Sequence, residues 1–370
     1  MKNQLLLLLF IVYFQAHSQC EEISEQTTSN FSSFEISSIN QTEGLRDGDD
    51  FDGATLYFPL NSNGNLKSIV LVPGYQATQS SVATWAKFLA KRGFISMTIG
   101  TNSLNDLPLE RAYALIDAME TIRQENERVS SPLYSRIDIN SIAVGGWSMG
   151  GGGAQLAAKL DSRIKTIFAI TPWLWPNNLS KSDLEHDIPV LIISGELDTI
   201  APNNQHSNVH YNYTPNSTPK LIFEVSGADH NIPLEPSTGL GDLGNIVYAW
   251  MQLFLNNNIC YCELLQTNSL DQNTTASKYL TNLNCTKLDL AISKKNDSFP
   301  ISIYPNPASN FIYLDADFMM KSVKIYSLLG ALEKSIQGTN TVDISNLNKG
   351  VHLLVVESDG KHSAKQLIIE

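Results

Sequence analysis

The chain has 370 residues, of which 42% are hydrophobic and 17% are charged. This is globular composition, with enough length for one large domain and one smaller domain. The formal net charge of −12 argues against a nucleic-acid partner, and no segment after the N-terminal 20 residues is long and apolar enough to cross a membrane.

The N-terminus has the pattern of a secretory signal. Lys2 supplies a positive charge, residues 5–14 are apolar but too short to span a bilayer, and Ala16-His17-Ser18 fits a small-x-small cleavage site. We therefore predict a signal peptide over residues 1–18. Cys20 also suggests a lipid-modified cysteine, but the residues around it fit that motif poorly, so ordinary cleavage is favoured.

Residues 47–53, with the sequence DGDDFDG, resemble a calcium-binding loop by charge alone. Such a loop would need a bidentate Glu at a fixed distance, and the sequence lacks one. An acidic hairpin turn before a strand at 54–58 is the favoured interpretation.

Apolar segments of strand length alternate with helical patterns from residue 54 to residue 255. Strands are predicted at 54–58, 68–72, 94–99, 141–144, 167–170, 190–193 and 221–225, with a further strand suggested at 34–36. Helices are predicted at 84–91, 108–123, 154–160 and 243–255. The alternation predicts a mostly parallel sheet covered by helices on both faces, with ligands bound at the carboxyl ends of the strands.

A glycine-flanked serine lies between the strand at 141–144 and the helix at 154–160. The run Gly146-Trp147-Ser148-Met149-Gly150 has the G-x-S-x-G form of a nucleophile elbow, whose strained turn requires small residues two places before and after the serine. The following helix would direct free N–H groups at developing negative charge. A glycine-rich turn with a serine N-cap is the simpler alternative, but the flanking strand and helix favour Ser148 as a nucleophile.

A nucleophilic serine needs a base and an acid that orients the base. His230 and Asp198 each follow a predicted buried strand by a short loop, which places both at the strand ends where Ser148 lies. His206 and His210 lie in a polar, Asn-rich segment, for which a surface position is expected. The chain order Ser148, Asp198, His230 is that of α/β-hydrolases.

The oxyanion hole of such a site requires two backbone N–H groups. Met149, directly after the serine, supplies one. The loop Pro73-Gly74-Tyr75, after the strand at 68–72, places Tyr75 as the second donor.

Two tryptophans are candidates for the substrate cleft. Trp147 precedes the serine, and Trp173 leaves the strand at 167–170 on the same face, where an exposed ring can stack on a planar ligand. A core position is the alternative for Trp173. The connection from 170 to 190 is too short for the cap of lidded lipases, so we expect an open, shallow cleft.

The chain has an even number of cysteines, which in an exported protein argues for disulfide bonds. They are Cys20, Cys260, Cys262 and Cys285. All lie away from the predicted catalytic residues, so a cysteine nucleophile is not expected.

Residues 45–285 resemble the polyesterase–lipase–cutinase group of α/β-hydrolases, including the poly(ethylene terephthalate) hydrolases. The resemblance rests on Pro73-Gly74-Tyr75, the Gly-Trp-Ser-Met-Gly-Gly-Gly run from Gly146, Pro172-Trp173, Asp198-Thr199-Ile200-Ala201-Pro202 and the His230 loop. It implies an α/β-hydrolase fold without a cap domain. It also implies a Ser148, Asp198, His230 triad, an oxyanion hole of Tyr75 and Met149, and a cleft containing Trp147, Trp173 and Ile200.

The same resemblance implies a Cys262–Cys285 disulfide behind the last helix, which would leave Cys20 to pair with Cys260. Some plastic-degrading members have an additional disulfide beside the acid and base loops. In this chain Gly195 and Ile232 occupy those two positions, a difference that bears on rate and cleft width.

The composition changes near residue 300. Strands predicted at 311–314, 323–326, 342–344 and 351–356 indicate a small antiparallel, sandwich-like β-domain. Tyr304-Pro305-Asn306-Pro307-Ala308 and Asn348-Lys349-Gly350-Val351 are similar to the C-terminal sorting domain of type IX secretion in Bacteroidetes. That similarity implies interaction with the type IX machinery, outer-membrane passage and removal of the tail. The predicted organisation is a signal peptide at 1–18, a catalytic domain at 19–290, a linker at 291–299 and a sorting domain at 300–370.

The sequence therefore predicts an exported, monomeric serine esterase that hydrolyses polyesters or bulky hydrophobic esters through an acyl-enzyme, with no cofactor or metal. A short-chain lipase or general carboxylesterase is the alternative within this class. A non-catalytic surface protein that binds polymers through Trp173 and Trp175 is the alternative from another class.

Overall fold

A computed structural model describes residues 33–62, 64–175, 178–266, 275–286, 288, 301–315, 320–327, 332–358 and 361–370. The chain divides after Leu283 into two compact units. The predicted signal peptide at 1–18, Cys20 and the predicted linker at 291–299 lie outside the described residues. Within those ranges, no helix combines the length and apolar character that a membrane crossing requires.

Among the described residues, nine strands form the central sheet of the first unit. They are β1 Ile36–Asn40, β2 Ala54–Pro59, β3 Leu66–Val72, β4 Ile95–Ile99, β5 Ile137–Trp147, β6 Ile167–Ile170, β7 Val190–Gly195, β8 Lys220–Val225 and β9 Ala276–Thr281. Their order across the sheet is β1-β2-β4-β3-β5-β6-β7-β8-β9. The pairings from β4 to β8 are parallel, and those that involve β1, β2 or β9 are antiparallel. The predicted, mostly parallel sheet is confirmed.

Helices cover both faces of this sheet. In the described part of the unit they are α1 Ala83–Ala90, α2 Pro108–Glu127, α3 Met149–Leu160, α4 Ser207–Tyr213, α5 Asp242–Phe254 and α6 Cys260–Gln266. On one face, α2 and α3 share a core with strand residues such as Val70 and Val144. On the other face, Trp85 of α1 meets Phe168 of β6 edge-on, with ring centroids 4.9 Å apart. Burial on both faces explains the continuous apolar runs of the parallel strands.

The segment around the division at Leu283 contains more regular structure than its polar sequence suggests. Residues 263–297 read as turn-rich, yet they include the end of α6 and the edge strand β9. Cys262 in α6 forms the expected disulfide with Cys285, just after β9. Cys260 is also disulfide-bonded, and its predicted partner, Cys20, lies outside the described residues.

The acidic segment 47–53 lies in the connection between the antiparallel strands β1 and β2, as the hairpin interpretation expects. Arg46 anchors this connection through a 2.6 Å ion pair with Asp117 of α2, and the Asp50 N–H donates to the same carboxylate. Across the ranges that the structure describes, no group of three or more His, Cys, Asp or Glu residues is arranged to hold a metal ion.

The second unit consists of antiparallel strands in two sheets. Its described strands are β10 Ser302–Tyr304, β11 Phe311–Asp315, β12 Ser322–Ser327, β13 Leu332–Gln337, β14 Thr341–Asp343, β15 Gly350–Ser358 and β16 Lys361–Ile369. The sheets have the orders β10-β11-β14 and β13-β12-β15-β16. Ile312 and Val342 of the first sheet share one core with Ile325, Leu354 and Leu367 of the second. The unit is therefore a small antiparallel sandwich with a core of its own.

Candidate active site

Ser148 occupies a strained turn between β5 and α3. Its backbone dihedrals are φ 57° and ψ −120°, a combination that non-glycine residues rarely adopt and that is found mainly at functional sites. A Cβ atom at Gly146 would lie only 2.6 Å from the Val72 carbonyl oxygen, and one at Gly150 would collide with the same atom. The close approach of β3 therefore requires glycine on both sides of the serine, as the elbow pattern predicts.

Asp198 and His230 meet in a buried hydrogen bond. His230 Nδ1 lies 2.7 Å from Asp198 Oδ2, and the other carboxylate oxygen accepts the N–H groups of Ile200 at 2.9 Å and Ala201 at 2.8 Å. Burial alone would raise the pKa of Asp198, but the hydrogen bonds from His230, Ala201 and Ile200 bring it below its ordinary value. The carboxylate is thus ionised at neutral pH, and hydrogen bonds hold both of its oxygens in place.

The loop that carries His230 is tied to the serine turn. The His230 carbonyl accepts the indole N–H of Trp147 at 3.1 Å and the hydroxyl of Thr171 at 3.3 Å. The loop that carries Asp198 is bonded to the loop that carries His230, because the Leu197 N–H donates to the Ala228 carbonyl at 2.8 Å. The predicted nucleophile, base and acid therefore follow β5, β8 and β7 at one edge of the sheet, as the sequence indicates.

The residues predicted to supply the oxyanion donors are Met149, directly after Ser148, and Tyr75, which follows Gly74 in a loop close to the serine. Met149 is the first residue of α3, where N–H groups lack intrahelical partners. The loop of Tyr75 crosses directly over the serine, since a Cβ atom at Gly74 would lie 2.9 Å from Ser148 Cβ. The Ser148 carbonyl is held by the N–H groups of Gly152 and Trp173, which fixes the orientation of the turn.

The predicted cleft residues differ in exposure. Tyr75 is 47% exposed and Ile200 is 63% exposed, whereas Trp147 and Trp173 are half-buried. The Trp173 ring stacks on His206, with centroids 5.8 Å apart and an interplanar angle of 27°. One face of Trp173 is therefore occupied by the protein.

The surface position expected for His206 and His210 is wrong. Both side chains are buried, and burial lowers their pKa values to about 4 and about 3. His210 Nδ1 contacts the side-chain amide of Gln155 in α3. The burial could not be predicted from the polar, Asn-rich sequence of this segment. The short helix α4 packs on β7 and β8 with a mostly polar face, so it lacks the apolar pattern that indicates a buried side.

Gly195 is packed too tightly to accept the cysteine that an additional disulfide between the acid and base loops would require. A Cβ atom at this position would collide with the Asp229 carbonyl oxygen and lie 2.6 Å from the Ala228 carbonyl oxygen. The acid loop thus approaches the histidine loop through backbone contact.

Two family models match separate parts of the chain. Residues 25–286 match the family model described as PET hydrolase-like. The chain belongs to the PET hydrolase-like family. Residues 302–370 match the model of the secretion system C-terminal sorting domain. Membership makes the chain a carboxylic-ester hydrolase, and the expected α/β-hydrolase fold is confirmed.

Several cutinases are similar to the first unit. Cutinase 2 of Thermobifida cellulosilytica is 36% identical over 229 residues, which is 62% of this chain and 83% of that protein. Cutinase cut1 of Thermobifida fusca is 36% identical over 62% of this chain and 68% of its own length. The bis(hydroxyethyl) terephthalate hydrolase of Streptomyces coelicolor is 33% identical over 58% of this chain and 66% of its own length.

Proposed function

We propose that this protein is an exported serine esterase that hydrolyses polyesters and other bulky hydrophobic esters. The observation that carries the proposal is the buried 2.7 Å hydrogen bond between His230 Nδ1 and Asp198, at the sheet edge where Ser148 occupies a strained turn. The similarity to cutinases and to a bis(hydroxyethyl) terephthalate hydrolase supports the same chemistry.

Each residue has a defined task in this reaction. Ser148 Oγ attacks the ester carbonyl carbon while His230 Nε2 accepts the hydroxyl proton, and Asp198 holds the imidazole in the tautomer that leaves Nε2 free. His230 then gives the proton to the leaving alkoxide, which departs as an alcohol. A water molecule repeats the sequence on the acyl-enzyme, releasing the carboxylic acid and restoring Ser148.

The negative charge that develops on the carbonyl oxygen requires fixed donors. The backbone N–H groups of Tyr75 and Met149 are assigned this role, with the N-terminus of α3 adding its dipole. Apart from the ester and water, these proposed steps use only groups of the protein.

An apolar rim around the site favours a bulky hydrophobic substrate. Large apolar side chains that follow the carboxyl ends of β3, β4, β7 and β8 are each at least 41% exposed: Tyr75, Leu104, Leu107, Leu197, Ile200 and Ile232. We propose that these side chains together form one apolar surface, because contiguous exposed apolar patches mark binding sites. We assign Trp147, Trp173 and Ile200 to the substrate cleft, with the Trp173 ring as the contact for a planar aromatic unit.

The sandwich unit directs export. Its match to a secretion sorting domain supports passage to the cell exterior or surface. We assign this passage to the type IX route, followed by removal of the tail.

Labelling with a fluorophosphonate tests the catalytic assignment. The reagent should attach to Ser148 in the wild-type protein and should fail to label the Ser148→Ala variant. Absence of labelling in the folded wild type would favour a non-catalytic polymer-binding protein. Labelling together with activity on short esters alone would favour a general carboxylesterase.

A further inference from the structure

Arg111 is a buried arginine beside the oxyanion loop. Its side chain, on the first turn of α2, has no exposed surface. In the described part of the chain, no carboxylate lies within ion-pair distance of its guanidinium. Burial lowers its pKa to about 10, although the carboxylates of Asp106 and Glu110 act in the opposite direction. The group is thus a cation at neutral pH, in a place where a charge is costly unless it is well bonded.

The guanidinium is bonded entirely to backbone carbonyls. Nη1 donates to the Pro73 carbonyl at 2.8 Å, Nε donates to the Asp106 carbonyl at 3.1 Å, and Nη2 donates to the Leu104 carbonyl at 3.4 Å. One planar group therefore connects the loop after β3 with the loop after β4. A planar fork with several donors is suited to hold such a set of acceptors.

Bonds to these acceptors hold the backbone both before and after Tyr75. Pro73 is two residues before it, and the Leu104 carbonyl also accepts the N–H of Gln76, the residue after it, at 2.8 Å. Gly74 has to be a glycine because of its closeness to Ser148, and glycine adds freedom to the loop backbone. Fixing the positions before and after Tyr75 compensates for that freedom and sets the direction of its N–H group.

We propose that Arg111 is the positioning residue of the oxyanion loop, acting on catalysis through the Pro73 and Leu104 carbonyls. The inference rests on the function proposed above, which assigns the Tyr75 N–H to the oxyanion. Arg111 also lies at the contact between α2 and the elbow helix, because a Cβ atom at Gly153 would be 2.9 Å from Arg111 Cβ. The guanidinium thus aligns the loop on one side of the oxyanion against the helix on the other.

The test compares kcat and KM for a nitrophenyl ester in Arg111→Met, Arg111→Gln and Arg111→Lys variants. Arg111→Met should lower kcat by about 10- to 100-fold, since loss of a whole oxyanion donor typically costs ~10²–10³ and small misplacement has a comparable effect. KM should change less than about twofold. Arg111→Lys keeps a cation that can reach one carbonyl, so it should recover part of kcat.

A matched control is Arg46→Met. Arg46 also binds α2 through its guanidinium, but it does so at the carbonyl and carboxylate of Asp117 and at the Thr121 hydroxyl, away from the loop. This variant should keep the wild-type kcat at temperatures where it is folded. An equal loss of kcat in both variants, or a wild-type kcat in Arg111→Met or Arg111→Gln, would overturn the proposal.

A boronic acid inhibitor separates positioning from a general loss of stability. Its tetrahedral adduct with Ser148 places an oxygen in the oxyanion hole, so its affinity should fall in Arg111→Met and not in Arg46→Met. The Ser148→Ala variant tests the proposed function separately. Residual turnover in that variant would show that Ser148 is not the nucleophile. If Ser148→Ala is inactive and the Arg111 variants bind the boronate normally, only the positioning role fails.

Discussion

Asp198 is the most tightly constrained group of the proposed triad. One carboxylate oxygen binds His230 and the other binds two backbone N–H groups, so an amide could accept the same backbone bonds while failing to hold the imidazole tautomer. We expect Asp198→Asn to keep the fold and to lower kcat by ~10⁴ for a nitrophenyl ester. Steady-state kinetics with circular dichroism as the folding check would test this, and a near-normal kcat would contradict the assignment.

Trp173 is the residue on which an aromatic subsite depends. Its ring is half-buried and stacked on His206, so a bound aromatic unit would have to contact the other face. An aromatic contact adds ~0.5–1.5 kcal/mol beyond area burial. Trp173→Ala should therefore reduce release of terephthalate-type products more than it reduces hydrolysis of a short aliphatic nitrophenyl ester. Equal losses of activity on both substrates would contradict an aromatic subsite and favour a general esterase.

The site residues that sequence could predict are those fixed by local pattern. Gly146, Ser148 and Gly150 form a motif that one sharp turn demands, and Asp198 and His230 follow apolar strands whose ends converge. The burial of His206 could not be predicted, because a polar neighbourhood in the sequence does not show which side chains around a short helix face the core. The sequence does not indicate a role for Arg111, since a lone arginine on a helix is usually solvated.

At the scale of elements, the α4 region buries two histidines, His210 within the helix and His206 directly before it. His206 and His210, together with the buried His186, have pKa values lowered by burial to about 4, about 3 and about 4. An unfolded histidine titrates near 6.5, so between that pH and about 4 the unfolded chain binds more protons than the folded chain. The free energy of unfolding should therefore fall as the pH falls through this window.

Replacing the pair His210 and Gln155 by Phe and Leu tests that expectation. His210→Phe combined with Gln155→Leu removes one titrating group and leaves no amide without its partner. Each fully linked proton contributes about 1.4 kcal/mol per pH unit, so the double variant should lose less stability between pH 6.5 and pH 4. Urea denaturation at several pH values measures this, and parallel stability curves for the two proteins would contradict it.

The elements predicted most accurately are those with a continuous apolar run or a clear apolar periodicity. The strand predicted at 167–170 coincides with β6, and the helix predicted at 108–123 is the first part of α2. The sequence did not predict β9 and α4, which are both largely polar. β9 is an edge strand, and α4 is a short helix that buries few of its residues. For such elements, tertiary contact decides the conformation and local pattern does not.

At the scale of the whole molecule, the two units have separate cores. The sandwich core contains Ile312, Val323 and Leu354, among other apolar residues of the tail, and none of the groups assigned to catalysis. A chain truncated after Lys295 should keep its full specific activity on a nitrophenyl ester. A large loss in the purified, folded truncation would mean that the tail contributes to the cleft.

The most direct test of the account is product analysis of the purified mature enzyme on aliphatic and aromatic polyesters, with Ser148→Ala as the control. We expect the wild type to release soluble monomers and short esters, including terephthalate-type products, and the variant to release none above background. Polyester hydrolysis by Ser148→Ala would contradict the proposed nucleophile. Failure of an esterase-active wild type to release products from any polyester would contradict the proposed substrate class.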